Sequence, residues 1–410
     1  MDIYLVGGAV RDLLLGLDIT DRDYVVVGST PQEMKSHGFK EVGKDFPVFL
    51  HPKTAEEYAL ARTERKSGHG YKGFEVDFSQ DITLEQDLQR RDLTINAIAQ
   101  SPDGQLIDPY HGQSDIKKRL LRHVSPAFAE DPLRVLRVAR FAARLHNLGF
   151  TIAEETLTLM TQLVNDGELT YLTPERVWQE TYKALVTQSP HIYFEVLRQC
   201  GGLKALFPEL DRLWGIPNPE QWHPEIDTGI HTMMVLQQAA KKTQDPVTRF
   251  AATLHDLGKG LTPKKYWPQH RGHEEAGVPL IKAMCKRLKA PKEYEHLAVF
   301  VSRFHLHCHK MFELRPKTIF KVLKTIGAYK KEKLLEQFII ACEADFNGRL
   351  GLEDKPYPQG NLLRACFEAS KTIDVNPLME QGLEGAKLGQ AIEKQKISNI
   401  KDILRQEKSG

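Results

Sequence analysis

Between residues 3 and 27 the chain reads Ile3-Tyr4-Leu5-Val6-Gly7-Gly8-Ala9-Val10-Arg11-Asp12 and, eight residues later, Asp21-Arg22-Asp23-Tyr24-Val25-Val26-Val27. The first apolar run ends at a glycine pair and passes into a helical stretch through Leu15. Glycines let a backbone approach phosphate oxygens, and a helix N-terminus offers free N–H groups. Arg11 adds a charge-assisted donor. The second run is β-branched and starts with carboxylates at i and i+2, the spacing that puts two side chains on one face of a strand. Paired carboxylates are what Mg²⁺ needs to be held over a triphosphate. Alone, either motif is at home in a solvated turn. At this separation they form one unit of a triphosphate site.

Working outward, 58–62 and 74–78 read as further strands, with a Gly-rich basic loop at 65–73 between them. After about residue 115 the pattern turns helical. Asp131-Pro132 predicts a helix start, with Asp as N-cap, and Gly149 a stop. Further helices are predicted at 154–165, 174–187, 190–199, 229–242, 247–257, 274–288, 293–303, 316–326 and 330–343. Pro-rich breaks fall at 214–219 and 354–360. The expected class is α+β: an α/β head on a long all-helical body. The expected segments are a head at 1–115, a helical neck at 116–215, a third domain at 228–345 and a helical tail at 346–410.

Composition fits that plan and excludes others. A chain of 410 residues with 27% charged and 41% hydrophobic residues is an ordinary globular protein of two or three domains. No apolar run approaches a membrane span, and the brief N-terminal one is broken by Arg11-Asp12, so neither a membrane anchor nor a signal peptide is expected. Five scattered cysteines without a C-x-x-C pair fit a reducing cytoplasm. Net charge is only +2, but eight Lys/Arg against two Asp/Glu crowd residues 117–144. Asp131, Arg134, Arg137, Arg140 and Arg144 recur at helical spacing and share one face. Such a stripe repels itself unless anions sit on it. Nine of the sixteen histidines lie between 223 and 309.

That His-rich region holds a second constellation. His255-Asp256-Leu257-Gly258-Lys259 follows a predicted helix, and His231 lies inside another. Imidazole and carboxylate together suit a transition metal, which lowers the pKa of a bound water for attack on a phosphoester. Asp345, His273 and His305 are candidate further ligands, and Lys259 a phosphate contact. His307 and His309 are expected at the surface.

The motifs Gly7-Gly8-x-Val10-Arg11-Asp12, Asp21-x-Asp23, Arg90-Arg91-Asp92-Leu93-Thr94-Ile95-Asn96-Ala97 and Glu130-Asp131-Pro132-Leu133-Arg134 resemble, in order, the class II head of the polymerase-β nucleotidyltransferase superfamily. His231 with His255-Asp256 resembles the HD phosphohydrolases. Together they resemble bacterial CCA-adding enzymes with a C-terminal HD domain. The resemblance implies a cytoplasmic enzyme that builds the 3′-terminal CCA of tRNA from CTP and ATP without a nucleic-acid template. Asp21 and Asp23 would hold Mg²⁺, and Gly8 and Arg11 the triphosphate. Arg91, Asp131, Arg134, Arg137 and Arg140 would select and orient the nucleotide, with Asp92 beside the sugar, Asn96 supporting its loop, and Glu57 as a third head carboxylate. His231, His255, Asp256 and Asp345 would hold Ni²⁺ or another divalent transition metal for phosphatase, 2′-nucleotidase and 2′,3′-cyclic phosphodiesterase activity. The helices at 150–227 and 346–410 would grip tRNA, in a monomer or homodimer. The run Val42-Gly43-Lys44-Asp45-Phe46-Pro47-Val48-Phe49-Leu50-His51 looks like the CCA version and not a poly(A) polymerase. The alternatives are a poly(A) polymerase of the same class, or an HD phosphohydrolase with an RNA-binding head.

Overall fold

The computed structural model describes residues 1–19, 21–42, 48–66, 74–221 and 223–409. Most of the basic loop at 65–73, and residues 43–47 of the Val42–His51 run, lie outside them. The chain forms two compact units, Met1–Ala184 with Ile192–Leu206, and Leu185–His191 with Phe207–Gly410.

The first unit is built on a mixed sheet. Its strands are β1 (Asp2–Val6), β2 (Asp23–Val27), β3 (Lys40–Val42), β4 (Val48–Leu50), β5 (Glu57–Leu60), β8 (Ala99–Gln100) and β9 (Leu106–Ile107). Two more, β6 (Thr63–Lys66) and β7 (Phe74–Asp77), form a separate hairpin sheet. The main sheet runs β3-β4-β5-β2-β1-β8-β9, with β1 antiparallel and β5 parallel to β2. The alternation of β2 buries both faces. Val25 packs with Val6, Leu88 and Ala99, whereas Val26 packs with Met34, Phe49 and Leu60.

Register positions the chemistry. Val6, the last residue of β1, pairs with Asp23, the first of β2. The Gly7-Gly8 turn and the carboxylates therefore meet at one sheet end. Gly7 sits at φ 70 and opens the helix Gly8–Leu15, which Gly16 closes in the left-handed conformation. β2 starts at Asp23, so Asp21 lies just before the strand.

The arginine-bearing helix spans Leu133–Leu145, followed by a short 3-10 turn and Gly149 at φ 82. Asp131 is extended, and its Oδ1 accepts from the Leu133 amide at 3.1 Å. The N-cap position is Pro132, one residue later than the sequence predicts, and Asp131 serves the first helical amide from just before it. The opposite face buries Val135, Leu136, Val138, Ala139 and Ala142.

The second unit is helical. The helices Thr228–Lys242, Pro246–Thr253, His273–Leu288, Lys292–His309 and Lys333–Asn347 surround the His-rich cluster. Three boundaries differ from expectation. The helix predicted at 247–257 stops at Thr253, placing His255-Asp256 on a turn. His255 Nδ1 donates to the Ala252 carbonyl at 2.8 Å, filling an acceptor that a longer helix would give to the Asp256 amide. The helices predicted at 293–303 and 330–343 run on to His309 and Asn347, which makes His305, His309 and Asp345 helical. Buried Arg249 donates to the carbonyls of Leu185, Thr187, Ala240 and Thr243, pinning the 185–187 segment to this unit. The C-terminal helix Gly385–Ser409 packs on Pro316–Ile326 and Pro358–Lys371, with Ile400 fully buried. All five cysteines are free and buried. Among the described residues no helix is long and apolar enough to cross a membrane.

Candidate active sites

In the first unit a cavity of about 570 Å³ gathers Gly7, Gly8, Arg11, Asp21, Asp23, Arg91, Asp92, Asn96, Asp131 and the arginines 134, 137, 140 and 144. Every expected head residue except Glu57 lines it. Glu57 lies beside Asp23 in parallel register but is exposed and is not part of the lining. The lining holds ten Arg/Lys against five Asp side chains, an excess that suits a polyanion.

The arginines are already partnered. Arg144 pairs with Asp12 at 2.8 Å, Asp12 with Arg11 at 2.8 Å, and Arg11 Nη1 donates to Asn96 Oδ1 at 2.6 Å. Asn96 donates to Asp92 Oδ1 at 2.9 Å, and Asp92 Oδ2 accepts from Arg137 Nε at 2.7 Å. This chain of bonds ties the glycine turn to the Arg91-Asp92 block and the arginine helix. Arg140 pairs with buried Glu180 at 2.6 Å. The stripe's self-repulsion is thus answered by Asp12, Asp92 and Glu180, where the sequence reading supplied only ligand anions. Three guanidiniums also surround the Phe141 ring, Arg140 at 4.3 Å, Arg11 at 5.1 Å and Arg137 at 5.8 Å.

Electrostatics follow from these contacts. Burial alone would raise the Asp92 pKa, but Arg137 and Asn96 hold it well below the usual carboxylate range. Burial lowers Arg11, against the pull of Asp12. Asp23 is raised by desolvation, which Arg91 opposes and Asp21 reinforces. The Asp21/Asp23 pair, hard oxygen donors with mutual repulsion, fits a divalent cation such as Mg²⁺. Arg91 projects over Gly7 so closely that a Cβ there would lie 2.9 Å from its Nη1. Its Nη2 reaches Asp87 at 3.2 Å, while its buried Nε has no partner among the described residues. Asp131 Oδ2 accepts from Arg176 at 2.8 Å, and Arg134 donates to the carbonyls of Ala127 and Arg90 at 2.5 and 2.6 Å.

In the second unit His231, His255 and Asp345 converge, and beside them Asp256, His273 and His305. Asp345 Oδ1 lies 3.1 Å from His231 Nε2 and 3.6 Å from His255 Nε2. Asp256 Oδ2 lies 3.0 Å from His255 Nε2, and its Oδ1 3.1 Å from His273 Nε2. The Nδ1 atoms of His255, His273 and His305 each donate to a backbone carbonyl, Ala252, His270 and Ser302 respectively. In the neutral ring this leaves Nε2 as a lone pair. The lone pairs then face carboxylate oxygens or, for His273 and His305 at 3.4 Å, each other. Among the described residues His255 Nε2 and Asp256 Oδ1 have no hydrogen-bond partner. Convergent acceptors without protons between them call for cations, and nitrogen with oxygen donors suits a divalent transition metal.

Burial is the largest single influence and raises both carboxyls, but the lowering contacts together, His255, Lys259 and His273 for Asp256 and His255, His309 and His231 for Asp345, hold each well below its usual value. Burial holds His305 well below the ordinary imidazole value. Lys259 is buried and bonded to Asp256 Oδ2 at 2.6 Å and Asn218 at 2.9 Å. It is a neighbour of the cluster's own carboxylate.

His309 is not a surface residue. Its Nε2 lies 2.7 Å from Asp345 Oδ2 and its Nδ1 2.9 Å from the Tyr357 hydroxyl. Glu225 went unnoticed in the sequence. Its buried Oε1 accepts from His223 Nδ1 at 2.8 Å and lies 3.0 Å from His231 Nδ1. Nothing in an isolated Glu between Pro224 and Ile226 announces this. Asp87 is absent from the sequence reading too, although Arg90 and Arg91 at i+3 and i+4 are a signal that could have found it.

An arginine-lined cavity with paired carboxylates at a glycine turn, and a histidine–carboxylate metal cluster on helices, define a nucleotidyltransferase-type head joined to an HD domain. Three family models match in that order: "Poly A polymerase head domain" over residues 3–122, "Probable RNA and SrmB-binding site of polymerase A" over 149–213, and "HD domain" over 228–345. The fold is that of CCA-adding enzymes. The chain is 22% identical to the Thermotoga maritima CCA-adding enzyme solved with tRNA, with TM-score 0.65, covering 99% of this chain and 90% of that one. It is 23% identical to the Bacillus stearothermophilus CCA-adding enzyme solved with CTP, with TM-score 0.65, covering 98% and 89%.

Proposed function

We propose that this chain adds C, C and A to tRNA 3′ ends from CTP and ATP. The carrying observation is the single cavity that unites Gly8, Asp21 and Asp23 with the arginine helix. Mg²⁺ held by Asp21 and Asp23 would supply activation of the attacking hydroxyl and neutralisation of the departing pyrophosphate. Gly7-Gly8, Arg11 and Arg91 receive the triphosphate. Arg137 and Arg140 hold the nucleotide's orientation through their fixed partners Asp92 and Glu180. Asp131 and Arg134 enter the cavity already braced by Arg176 and by two carbonyls. A nucleobase edge therefore meets a fixed acceptor and a fixed donor, which serves selection without a template.

In the HD domain, His231, His255, Asp256 and Asp345 would hold Ni²⁺ or a similar divalent ion, which would supply an activated water for phosphoester hydrolysis. Phosphatase, 2′-nucleotidase and 2′,3′-cyclic phosphodiesterase activities suit this site, since a tRNA end blocked by phosphate has no hydroxyl to extend. Residues 149–213 and the tail at 346–410 hold the tRNA. The setting is the cytoplasm, and the active form a monomer or homodimer.

The test is extension of tRNA lacking CCA, resolved at single nucleotides. Two additions with CTP alone and three with CTP and ATP support the proposal. A long ladder with ATP alone makes the enzyme a poly(A) polymerase. No extension by folded protein leaves hydrolysis as the activity and the head as an RNA-binding unit.

A further inference from the structure

Beside the HD cluster lies a second cavity of about 600 Å³ that the proposed hydrolysis does not by itself require. Two of its lining residues, Gly258 and His273, also belong to the cluster's immediate frame. Asp256 precedes Gly258 by two positions, and His273 Nε2 lies 3.1 Å from Asp256 Oδ1. The lining also includes Tyr266 and Trp267, with Lys265 and Arg271.

These four side chains are unusual for a structural loop. Tyr266 is 56% exposed, among the most exposed large apolar side chains of the chain. The Trp267 indole N–H is spent on the Thr262 carbonyl at 3.0 Å, which fixes the ring, and the exposed Lys264 ammonium lies 5.8 Å from its centroid. Lys265 lies 4.9 Å from the Tyr266 ring centroid. Arg271 is exposed and makes no hydrogen bond or ion pair among the described residues. The cavity also meets the start of the helix His273–Leu288, where backbone N–H groups favour negative charge. Aromatic faces with unpaired cations and a helix N-terminus are the chemistry that receives a nucleotide: a base stacks on the ring, and phosphate pairs with the cations. A phosphate-only substrate would need no such platform.

We propose that this cavity is a nucleoside-binding subsite of the HD domain, in which Tyr266 and Trp267 stack the terminal base of an RNA end while its 2′- or 2′,3′-cyclic phosphate faces the metal cluster. The subsite would make the domain selective for nucleotide ends over other phosphoesters. The inference rests on the HD domain being a phosphohydrolase.

The experiment uses the full chain loaded with Ni²⁺ and compares 2′,3′-cyclic AMP with bis-p-nitrophenyl phosphate, which has no base. In Tyr266→Ala and Trp267→Leu, the ratio of kcat/KM for the nucleotide to that for the nitrophenyl ester should fall about tenfold, mainly through KM, the cost of one lost stack. Tyr266→Phe should restore it. An unchanged ratio in both variants overturns the subsite while leaving the hydrolase intact. If the wild type hydrolyses neither substrate, the hydrolase reading fails, and the subsite is read by titrating 2′-AMP against inorganic phosphate. Weakened 2′-AMP binding in the variants, with phosphate binding unaltered, still supports the subsite. Equal 2′-AMP binding by wild type and variants overturns it.

Discussion

The head cavity and the HD cluster gather their ionisable groups on opposite electrostatic plans. In the head, nearly every charge has a protein partner: Arg144–Asp12–Arg11–Asn96–Asp92–Arg137 forms one continuous chain, and Arg140 has Glu180. In the HD cluster, three imidazole Nδ1 donors are spent on backbone carbonyls, one oxygen of each carboxylate is taken by Lys259 or His309, and the remaining oxygens and Nε2 atoms face one another. On the proposed function, the head's excess positive charge is held in place by these partners for a triphosphate. The HD cluster is electrostatically incomplete until a cation enters. One plan preorganises a polyanion site; the other reserves a place for a metal.

The sharpest way to break this contrast is to remove the carboxylates at each centre. Asp21→Ala or Asp23→Ala should reduce nucleotide incorporation by about 10³-fold or more, leaving hydrolysis by the HD domain within twofold. His255→Ala should do the reverse. Parallel assays on one preparation check both, and a variant that stays folded but loses both activities would overturn the two-site scheme.

Next in size is the head's internal chain. Asp92 is 5% exposed, and its two oxygens serve Arg137, Asn96 and the Leu93 amide. Asp92→Ala leaves Arg137 without its counter-ion and should cost about 3–5 kcal/mol in urea unfolding. Because the folded pKa lies below the ordinary 3.8, the wild-type contribution is complete above about pH 4 and is lost as pH falls from there toward the depressed value. The wild-type minus Asp92→Asn stability difference should therefore shrink on acidification through that window. A difference that grows would reverse the assignment.

The cluster's appetite for cations gives the third prediction. Adding Ni²⁺ at a hundredfold its Kd should stabilise the protein by about 2.7 kcal/mol, read as a raised Tm that EDTA reverses. His231→Ala, which removes one Nε2, should lose most of that shift. The head, already neutralised internally, should gain less from Mg²⁺ alone than from Mg²⁺ with nucleotide.

These two plans were unequally legible in the sequence. Gly8, Arg11, Asp21 and Asp23 were readable because a strand-turn-helix and a following strand dictate their meeting, and β1–β2 pairing delivers it. The arginine stripe was readable from the 3.6-residue period. Its counter-ions were not: Glu180 and Asp92 come from other elements, and spacing within one helix says nothing of what packs across it. In the HD cluster the His-Asp pair is readable, but the expected helix ends at residue 303, short of His309. No glycine or proline stops it there, and six more residues carry His309 to Asp345. Glu225 became visible only when the fold placed it against His223 and His231.

The smallest expected effect tests the least conspicuous part of the head. Phe141 lies on the arginine face of its helix, 5% exposed, with Arg11, Arg137 and Arg140 arranged around its ring. Each guanidinium has its own acidic or amide partner, so the ring adds orientation where the partners supply charge. A partly desolvated cation–π contact contributes about 0.5–2 kcal/mol. Phe141→Leu keeps the apolar volume and removes the quadrupole, so kcat/KM for CTP and ATP should fall by about two- to thirtyfold, with HD hydrolysis unaffected. If the ring only fills space, Leu will match wild type and Phe141→Ala alone will be impaired. If it aligns the arginines, Leu and Ala will both lose nucleotide affinity and Phe141→Tyr will retain it. The preorganised plan requires the second pattern, because Phe141 is the one ring among the described residues that all three guanidiniums contact.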